Sequence, residues 1–408
     1  MLLLKLAIIS CILVVAPSVA TTTHAATYYV AIAGNNSNPG TNASPWRTVA
    51  YAVSRMGAGD TTYVNGGVYN VGVIAFRTSG TQSAPIKLLR APGQFPIISC
   101  RSPASGVYPM IVLQNRSGSR YPIGWITIEG FEIRNCHDGI KFYSLRDSTI
   151  RGNWIHHSRG NGIFGYGTRI LIDRNKINNN GSPTTGSHGL YASGSYFTIT
   201  NNLIYGNEKY GIQLNGSSTS FYDPSKHAGP EYAHSYNWTI ANNTFAYERI
   251  ASGIVIWGST CSNARIENNI FYENGVSSSS SGAQGINFIS TSCRGIVIRN
   301  NLAYASGSGA TRFLGSGATA GVHYTQSGNI VNTVAPRFIN APATAPSSPN
   351  FALASGSPAI NMGLSLSATS TSYLNIPRPQ QSYYDIGAYE YRLSSAQLAA
   401  PTSLQNAN

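Results

Sequence analysis

Apolar residues through the middle of the chain come in short alternating bursts, not in helical stripes. The segment ITNNLI at 199–204 is one burst. It recurs as IRGNWI at 150–155, IDRNKI at 172–177, IANNTF at 240–245, IENNIF at 266–271 and IRNNLA at 298–303. Its second Asn falls at Asn153, Asn175, Asn202, Asn243, Asn269 and Asn301, with spacings of 22, 27, 41, 26 and 32. A second signal interleaves: Gly followed by Ile or Leu, starting at 139, 162, 189, 211, 253 and 285. Alternation of period two predicts strands that bury one face. A shortest period near 22, lengthened by insertions that leave the motif intact, predicts a stack of β coils, an all-β parallel β-helix (solenoid) over residues 61–340. In such a stack Asn suits the bends, because it tolerates left-handed backbone, and Asn side chains on successive coils can hydrogen-bond as a ladder. The Asn pairs are therefore read as structural.

The same register places Cys261 eight residues before Asn269 and Cys293 eight before Asn301. Neighbouring coils would bring this pair within disulfide reach, and Cys100 with Cys136 is expected to form a second. An open coil end exposes strand edges. Residues 26–60 predict an N-terminal cap, because Val49, Ala52, Val53 and Met56 share one face of a short helix behind Ser44-Pro45. Residues 341–408 turn Pro- and Ser-rich and predict an extended closing segment that includes YYDIGAYEY. Residues 1–25 carry one Lys and an apolar run ending at Ala16, too short for a bilayer and shaped like a signal peptide cleaved after Ala20 or Ala25. A secreted or periplasmic protein without a transmembrane segment is expected.

Three segments resemble secreted right-handed parallel β-helix proteins of the pectate-lyase-like superfamily. They are TYYVAIAGNNSNPGTNASPWRTVAYAV with GAGDTTYVNGGVY near the start, the Asn-Asn and Gly-Ile pattern of the coils, and SPAINMG with DIGAYEY near the end. The resemblance implies a right-handed stack and a polysaccharide-lyase-like activity. It is more specific for fold than for chemistry. Calcium-dependent members use clustered Asp, whereas this chain has six Asp in all.

Composition narrows the partners. A charged fraction of 10% excludes a charged helical bundle, and 42% hydrophobic residues exclude a disordered chain. The 27 basic residues outnumber the 14 acidic ones, giving a net charge of +13, yet they are scattered singly. No basic run suggests nucleic acid. Scattered Arg suits an acidic polysaccharide, whose carboxylates match the guanidinium fork. A monomer is expected.

Alternation after each Gly-Ile sends one column of side chains outward: Lys141, Phe164, Tyr191, Gln213, Val255 and Asn287. The next column is Tyr143, Tyr166, Ser193, Asn215, Trp257 and Ile289, and before each Gly stand Asp138, Asn161, His188, Tyr210, Ser252 and Gln284. This face predicts a groove for an extended glycan, with Asp138, Lys141, Asn161, Tyr166, Arg169, Tyr191, Gln213 and Trp257 as binding residues. The longest insertion, 215–238, would lid it. Elimination on a uronate needs a group to neutralise the carboxylate, a base for the adjacent C–H and an acid for the leaving oxygen. His188, Lys209 and Tyr210 are the candidate acid and base, with Arg169 and Asn161 for the charge. No paired carboxylates suggest a glycosidase. No zinc spacing occurs, and the cofactor considered is a calcium ion shared by Asp138, Asp147 and a loop carbonyl. The expected function is β-elimination, or C5 epimerisation, on a uronate-containing glycan. The alternative is a non-catalytic glycan-binding or cell-surface protein on the same scaffold.

Overall fold

The structure is a computed structural model that describes residues 25–100, 110–216, 225, 228–275, 284–305, 313–315, 317–343 and 346–392. The expected signal peptide, with Cys11, and Asp223, Lys226 and His227 of the long insertion lie outside the described residues.

The recurring motifs stack in register. Ile140, Ile163, Leu190, Ile212, Ile254 and Ile286 pair from coil to coil in parallel. So do Ile150, Ile172, Ile199, Ile240, Ile266 and Ile298. A third column runs through Ile155, Ile177, Ile204, Phe245 and Phe271. All these side chains are buried inside the stack, each worth about 1.5–3 kcal/mol of apolar burial. Among the described residues the strands form a parallel 20-stranded sheet, which spans two faces, and a parallel ten-stranded sheet on the third face. The two faces merge because Ile140–Arg151 and Ile163–Asp173 run without interruption across both.

Single left-handed residues make the bends. One corner uses Trp125, Asp147, Arg169, Tyr196, Asn237 and Asn263; the corner before the ten-stranded sheet uses Arg174, Asn201, Asn242, Asn268 and Asn300. The Asn-Asn pair therefore splits into two jobs. The first Asn turns the backbone, and the second builds the ladder. In that ladder Asn153 N, Asn175 N, Asn202 N, Asn243 N and Asn269 N each donate to the Oδ1 of the Asn one coil on, at 2.8–3.0 Å. It continues to Asn301 and Asn329.

A second ladder escaped the sequence reading. Ser158 N donates to Asn180 Oδ1, Asn180 N to Asn207 Oδ1, Asn207 N to Glu248 Oε2 and Glu248 N to Asn274 Oδ1. Glu248 thus stands where its neighbours are amides. Full burial pushes its carboxyl well above the usual range of 4.5, against the opposing hydrogen bonds from Asn207. Below about pH 4.5 both the folded and the unfolded chain hold this proton. As pH rises, the unfolded chain releases it first, so the rung's contribution to stability declines until the folded carboxyl also ionises. Glu248→Gln should remove that decline. The unfolding midpoint of the variant should gain on the wild type as pH rises above about 4.5; parallel pH profiles would refute this.

The cap forms as expected. Helix α1, Val49–Arg55, buries Val49, Ala52 and Val53, with Met56 beside them. Its N-cap is Thr48, whose hydroxyl accepts from Tyr51 N at 3.3 Å. The stack opens before residue 61, because Thr27–Val30 pairs in parallel with Thr61–Val64 and the helix is inserted between these two rungs. Its last parallel strands are Tyr324–Ser327 and Ile330–Val331. Both expected disulfides are present, with Cα separations of 4.8 Å for Cys100–Cys136 and 4.9 Å for Cys261–Cys293. The second closes a loop with a sequence separation of 32. Cys261→Ala with Cys293→Ala should therefore cost about 2–4 kcal/mol by denaturant unfolding, and an unchanged midpoint would show that the bridge adds nothing.

The closing segment lies along the side of the stack. Phe351, Leu353, Ala359, Ile386, Ala388 and Tyr389 cover Leu203, Tyr205, Tyr247, Ile270 and Tyr272 on the outer face of the ten-stranded sheet. The turning Asn residues hook it: Asn242 Nδ2 donates to Asp385 O and Gly387 O, Asn268 Nδ2 to Leu364 O, and Asn300 Nδ2 to Met362 O. Arg378 locks it from within, wholly buried against Glu390 at 2.7 Å.

Candidate functional site

The sheet that begins at each Gly-Ile carries the first expected column in the expected register, whereas a bulge between Phe142 and Leu145 takes Tyr143 of the second out of step with Tyr166. Lys141, Phe164, Tyr191, Gln213, Val255 and Asn287 stand side by side on successive coils. On the upper coils they form a partly open aromatic floor. The rings of Phe164 and Tyr191 are 5.3 Å apart, those of Phe164 and Tyr166 5.7 Å, and those of Tyr143 and Tyr166 6.0 Å. The Lys141 ammonium sits 4.9 Å from the Phe164 ring centre and 3.5 Å from Asp138. Burial pushes the Tyr191 phenol up to about 12 and raises Tyr166 and Tyr210 as well. These hydroxyls therefore stay protonated near neutrality.

The described part of the long insertion flanks this floor. Ala228 N donates to Ser144 Oγ at 3.1 Å, and Ser195 Oγ donates to Glu231 O at 2.9 Å. These bonds fold residues 228–236 back across the coils that carry Tyr143 and Tyr166.

Several expectations change. The residues before each Gly do not open on the groove; they form a third ladder. Asp138 Oδ1 accepts from Asn161 N at 2.9 Å, Asn161 Oδ1 from His188 N at 2.9 Å, and His188 Nδ1 from Tyr210 N at 3.4 Å. Asp138, His188 and Tyr210 are buried for that reason. Burial, and then the Lys209 charge, lower the His188 ring to about 3. A neutral imidazole that weak, with Nδ1 engaged, is no base for turnover. Arg169 does not offer a free charge either, since its guanidinium grips Asp147 at 2.6 and 3.0 Å. It lies one bend away from the aromatic floor. Gln213 and Val255 are outward in register yet buried. Trp257 is exposed at 42%, but it stands two coils beyond the row of Tyr191, roughly 10 Å along the stack.

A calcium between Asp138 and Asp147 does not fit. Burial acts to raise Asp138, but His137, Lys141 and the Asn161 amide together bring it below the usual range. Arg169 and Arg146 overcome burial at Asp147 in the same way. Each carboxylate is already neutralised by the chain's own cations, and among the described residues no group of three or more His, Cys, Asp or Glu could hold a metal. The Asp147–Arg169 pair lay in the sequence at a spacing of 22, the shortest coil length, and could have been found by applying that period to charges as well as to Asn.

Around His188 the structure brings Tyr191 at 5.4 Å and Tyr210 at 5.2 Å between ring centres, with Lys209 close enough for its charge to lower the ring's pKa. Lys209 is partly exposed and lies 5.5 Å from the Tyr210 ring centre. Among the described residues no carboxylate pairs with it.

Residues 28–184 match the family model of the Pel9A-like right-handed β-helix region, and residues 111–302 match that of the right-handed β-helix region. The chain folds as a right-handed β-helix. Its fold is similar to that of pectate lyase Pel9A, at 17% identity and a TM-score of 0.58, over 90% of this chain and 96% of that one. A glycoside hydrolase shares the fold at 10% identity and a TM-score of 0.53, over 76% of this chain and 98% of the other. The uncharacterized protein YwoF of Bacillus subtilis is 27% identical over 206 residues, which is 46% of this chain. That match spans 43% of YwoF, less than half its length. Among the described residues no helix of this β-helix protein is long and apolar enough to cross a membrane.

Proposed function

We propose that the protein is exported and acts on an acidic, uronate-containing polysaccharide by β-elimination, or by C5 epimerisation through the same proton abstraction. The observation that carries the reading is the juxtaposition of the aromatic floor with Lys209, a cation that no described carboxylate neutralises. Sugar rings stack on Phe164, Tyr166 and Tyr191, and the ammonium groups of Lys141 and Lys209 attract the polymer's charge. Lys209 is the group assigned to take the proton next to the uronate carboxylate. The protonated phenol of Tyr191 returns one to the leaving oxygen. His188 and Asn161 hold the backbone that carries these groups. The fold shared with pectate lyase Pel9A supports the substrate class, and the two disulfides support export.

The test is ultraviolet absorbance of the unsaturated uronate, followed over polygalacturonate, alginate and glycosaminoglycans. Lys209→Ala should lower turnover by about 10²–10⁴ while keeping affinity, and Trp257→Ala should mainly raise the substrate concentration required. Full turnover in Lys209→Ala would displace the base. Binding without cleavage of any polymer would replace the lyase by a glycan-binding surface protein. That second reading draws on the pairing of Lys141 and Arg169 with carboxylates of their own.

A further inference from the structure

We infer that the groove continues onto the two coils above Lys141, and that Arg77, Arg116 and Arg120 hold carboxylates of the same polymer there. The inference deepens the proposed function and takes the identity of the polymer from it. Those two coils carry no Gly-Ile marker, so the outward columns could be counted from the sequence only below them. In the structure Ala75 pairs with Val112 and Val112 with Lys141, which carries the first column two coils further. Phe76 and Leu113 are buried in the core. Alternation therefore sends the residues after them, Arg77 and Gln114, to the outer side. Gln114 N donates to Phe76 O at 3.1 Å and Arg116 N to Arg77 O at 3.2 Å, so the two arginines are neighbours on successive coils. Beside them the loop 115–122 is tied to itself: Asn115 Oδ1 accepts from Ser117 N at 2.9 Å, and Asn115 Nδ2 donates to Pro122 O at 3.1 Å. The loop presents Arg120, whose Nη2 donates to the Tyr121 hydroxyl at 2.8 Å while its guanidinium lies 4.9 Å from that ring's centre. Arg77, Arg116, Arg120 and Tyr121 are all exposed.

The charge on this bank is not neutralised within the chain. Elsewhere the coils supply a carboxylate: Arg151 has Glu129, Arg169 has Asp147, and Arg265 and Arg299 share Glu267. Among the described residues no carboxylate pairs with Arg77, Arg116 or Arg120. Like charges side by side on adjacent strands are destabilising. An acidic polymer lying along the coils relieves that repulsion, and its carboxylates match the guanidinium forks. The arginines stand four and five coils above the row that Tyr210 and Lys209 precede, roughly 20–24 Å along the stack. They therefore serve binding and not turnover.

The test combines Arg77→Gln, Arg116→Gln and Arg120→Gln in the full chain. Steady-state kinetics and direct binding are measured on polygalacturonate and alginate, and kcat/KM on their tetramers, which lack the length to reach from Lys209 to Arg77. The triple variant should raise KM and Kd for the polymers by about 5- to 100-fold at unchanged kcat, and should flatten the dependence of Kd on salt. Tetramers should be cleaved as by the wild type, and the unfolding midpoint should hold or rise, since only repulsion is lost. A charge-matched control away from the Gly-Ile sheet, Lys87→Gln with Arg90→Gln and Arg337→Gln, should bind the polymers like the wild type. Wild-type KM and Kd in the triple variant would overturn the inference and leave the proposed function standing. So would an equal loss on tetramers or in the control, because either would report net charge and not place. Polyphosphate bound as tightly as the uronate polymers would show a general polyanion surface and overturn it too. Polymer binding that the triple variant loses, with no cleavage by the wild type, would keep this part of the groove and end the elimination. If no acidic polymer binds at all, the inference falls.

Discussion

Asn202→Ala should be among the most damaging substitutions in the chain, lowering stability by about 3–6 kcal/mol. Asn202 Oδ1 accepts from both the backbone N and the Nδ2 of Asn175, at 2.8 and 3.0 Å. Its own Nδ2 donates to Ile172 O and Asn243 Oδ1, each at 2.9 Å. Ala removes the acceptor of the buried Asn175 N and of one Asn175 Nδ2 proton, and the donor to Ile172 O, and each buried group left unsatisfied costs about 1–3 kcal/mol. The cavity adds to this. Asn329 terminates the described ladder and is only partly buried, so Asn329→Ala should cost less than half as much. Denaturant unfolding of the two variants checks the claim. Equal losses, or a loss at Asn202 below about 1 kcal/mol, would mean that the coils stack on apolar contacts alone.

Arg378→Met should release the closing segment, at a cost of about 3–5 kcal/mol. The Arg378 guanidinium serves Glu390 Oε2, the carbonyls of Asp385, Gly387, Ala388 and Tyr389, and Asn201 Oδ1. Losing it strands a buried carboxylate beside Asp385, whose own pKa burial and Glu390 already push up to about 6. Limited proteolysis should cut within 346–392, and a dye for apolar surface should bind where Leu203, Tyr205, Tyr247 and Tyr272 lose their cover. Arg378→Lys should not rescue, since one ammonium cannot reach acceptors arranged for a planar fork. Adding Glu390→Gln to Arg378→Met should recover part of the loss. A protease-resistant Arg378→Met protein would refute the lock.

The coils, the cap and both disulfides were legible in the sequence because each depends on local alternation and on register, and a repeated motif reports both. The Asn153–Asn329 ladder was visible for the same reason. The ladder through Glu248 was not, because a carboxylic acid in place of Asn hides the repeat unless burial is known. The columns facing the groove were read in the right order, but the exposure of Gln213, Val255 and Tyr210 was misjudged. Period-two alternation tells which way a side chain leaves the sheet; it does not tell what later folds over it. His188 looked like a base because titratable residue types suggest chemistry. Its position in a buried hydrogen-bonded ladder depends on residues 22 and 27 positions away.

The bend before the ten-stranded sheet has a consequence for how such a chain can vary. Asn180 follows Asn175 by five positions, as Asn207 follows Asn202, Glu248 follows Asn243 and Asn274 follows Asn269. Extra residues enter elsewhere, as in the segments 181–187 and 228–234, at the two bends that border the Gly-Ile sheet. An inserted residue between the ladders would break two continuous columns of hydrogen bonds at once, whereas one at either other bend only lengthens a loop. Genetic drift in length is thus steered to both banks of a single face. New side chains can be tried around the groove, coil by coil, without disturbing the stack beneath.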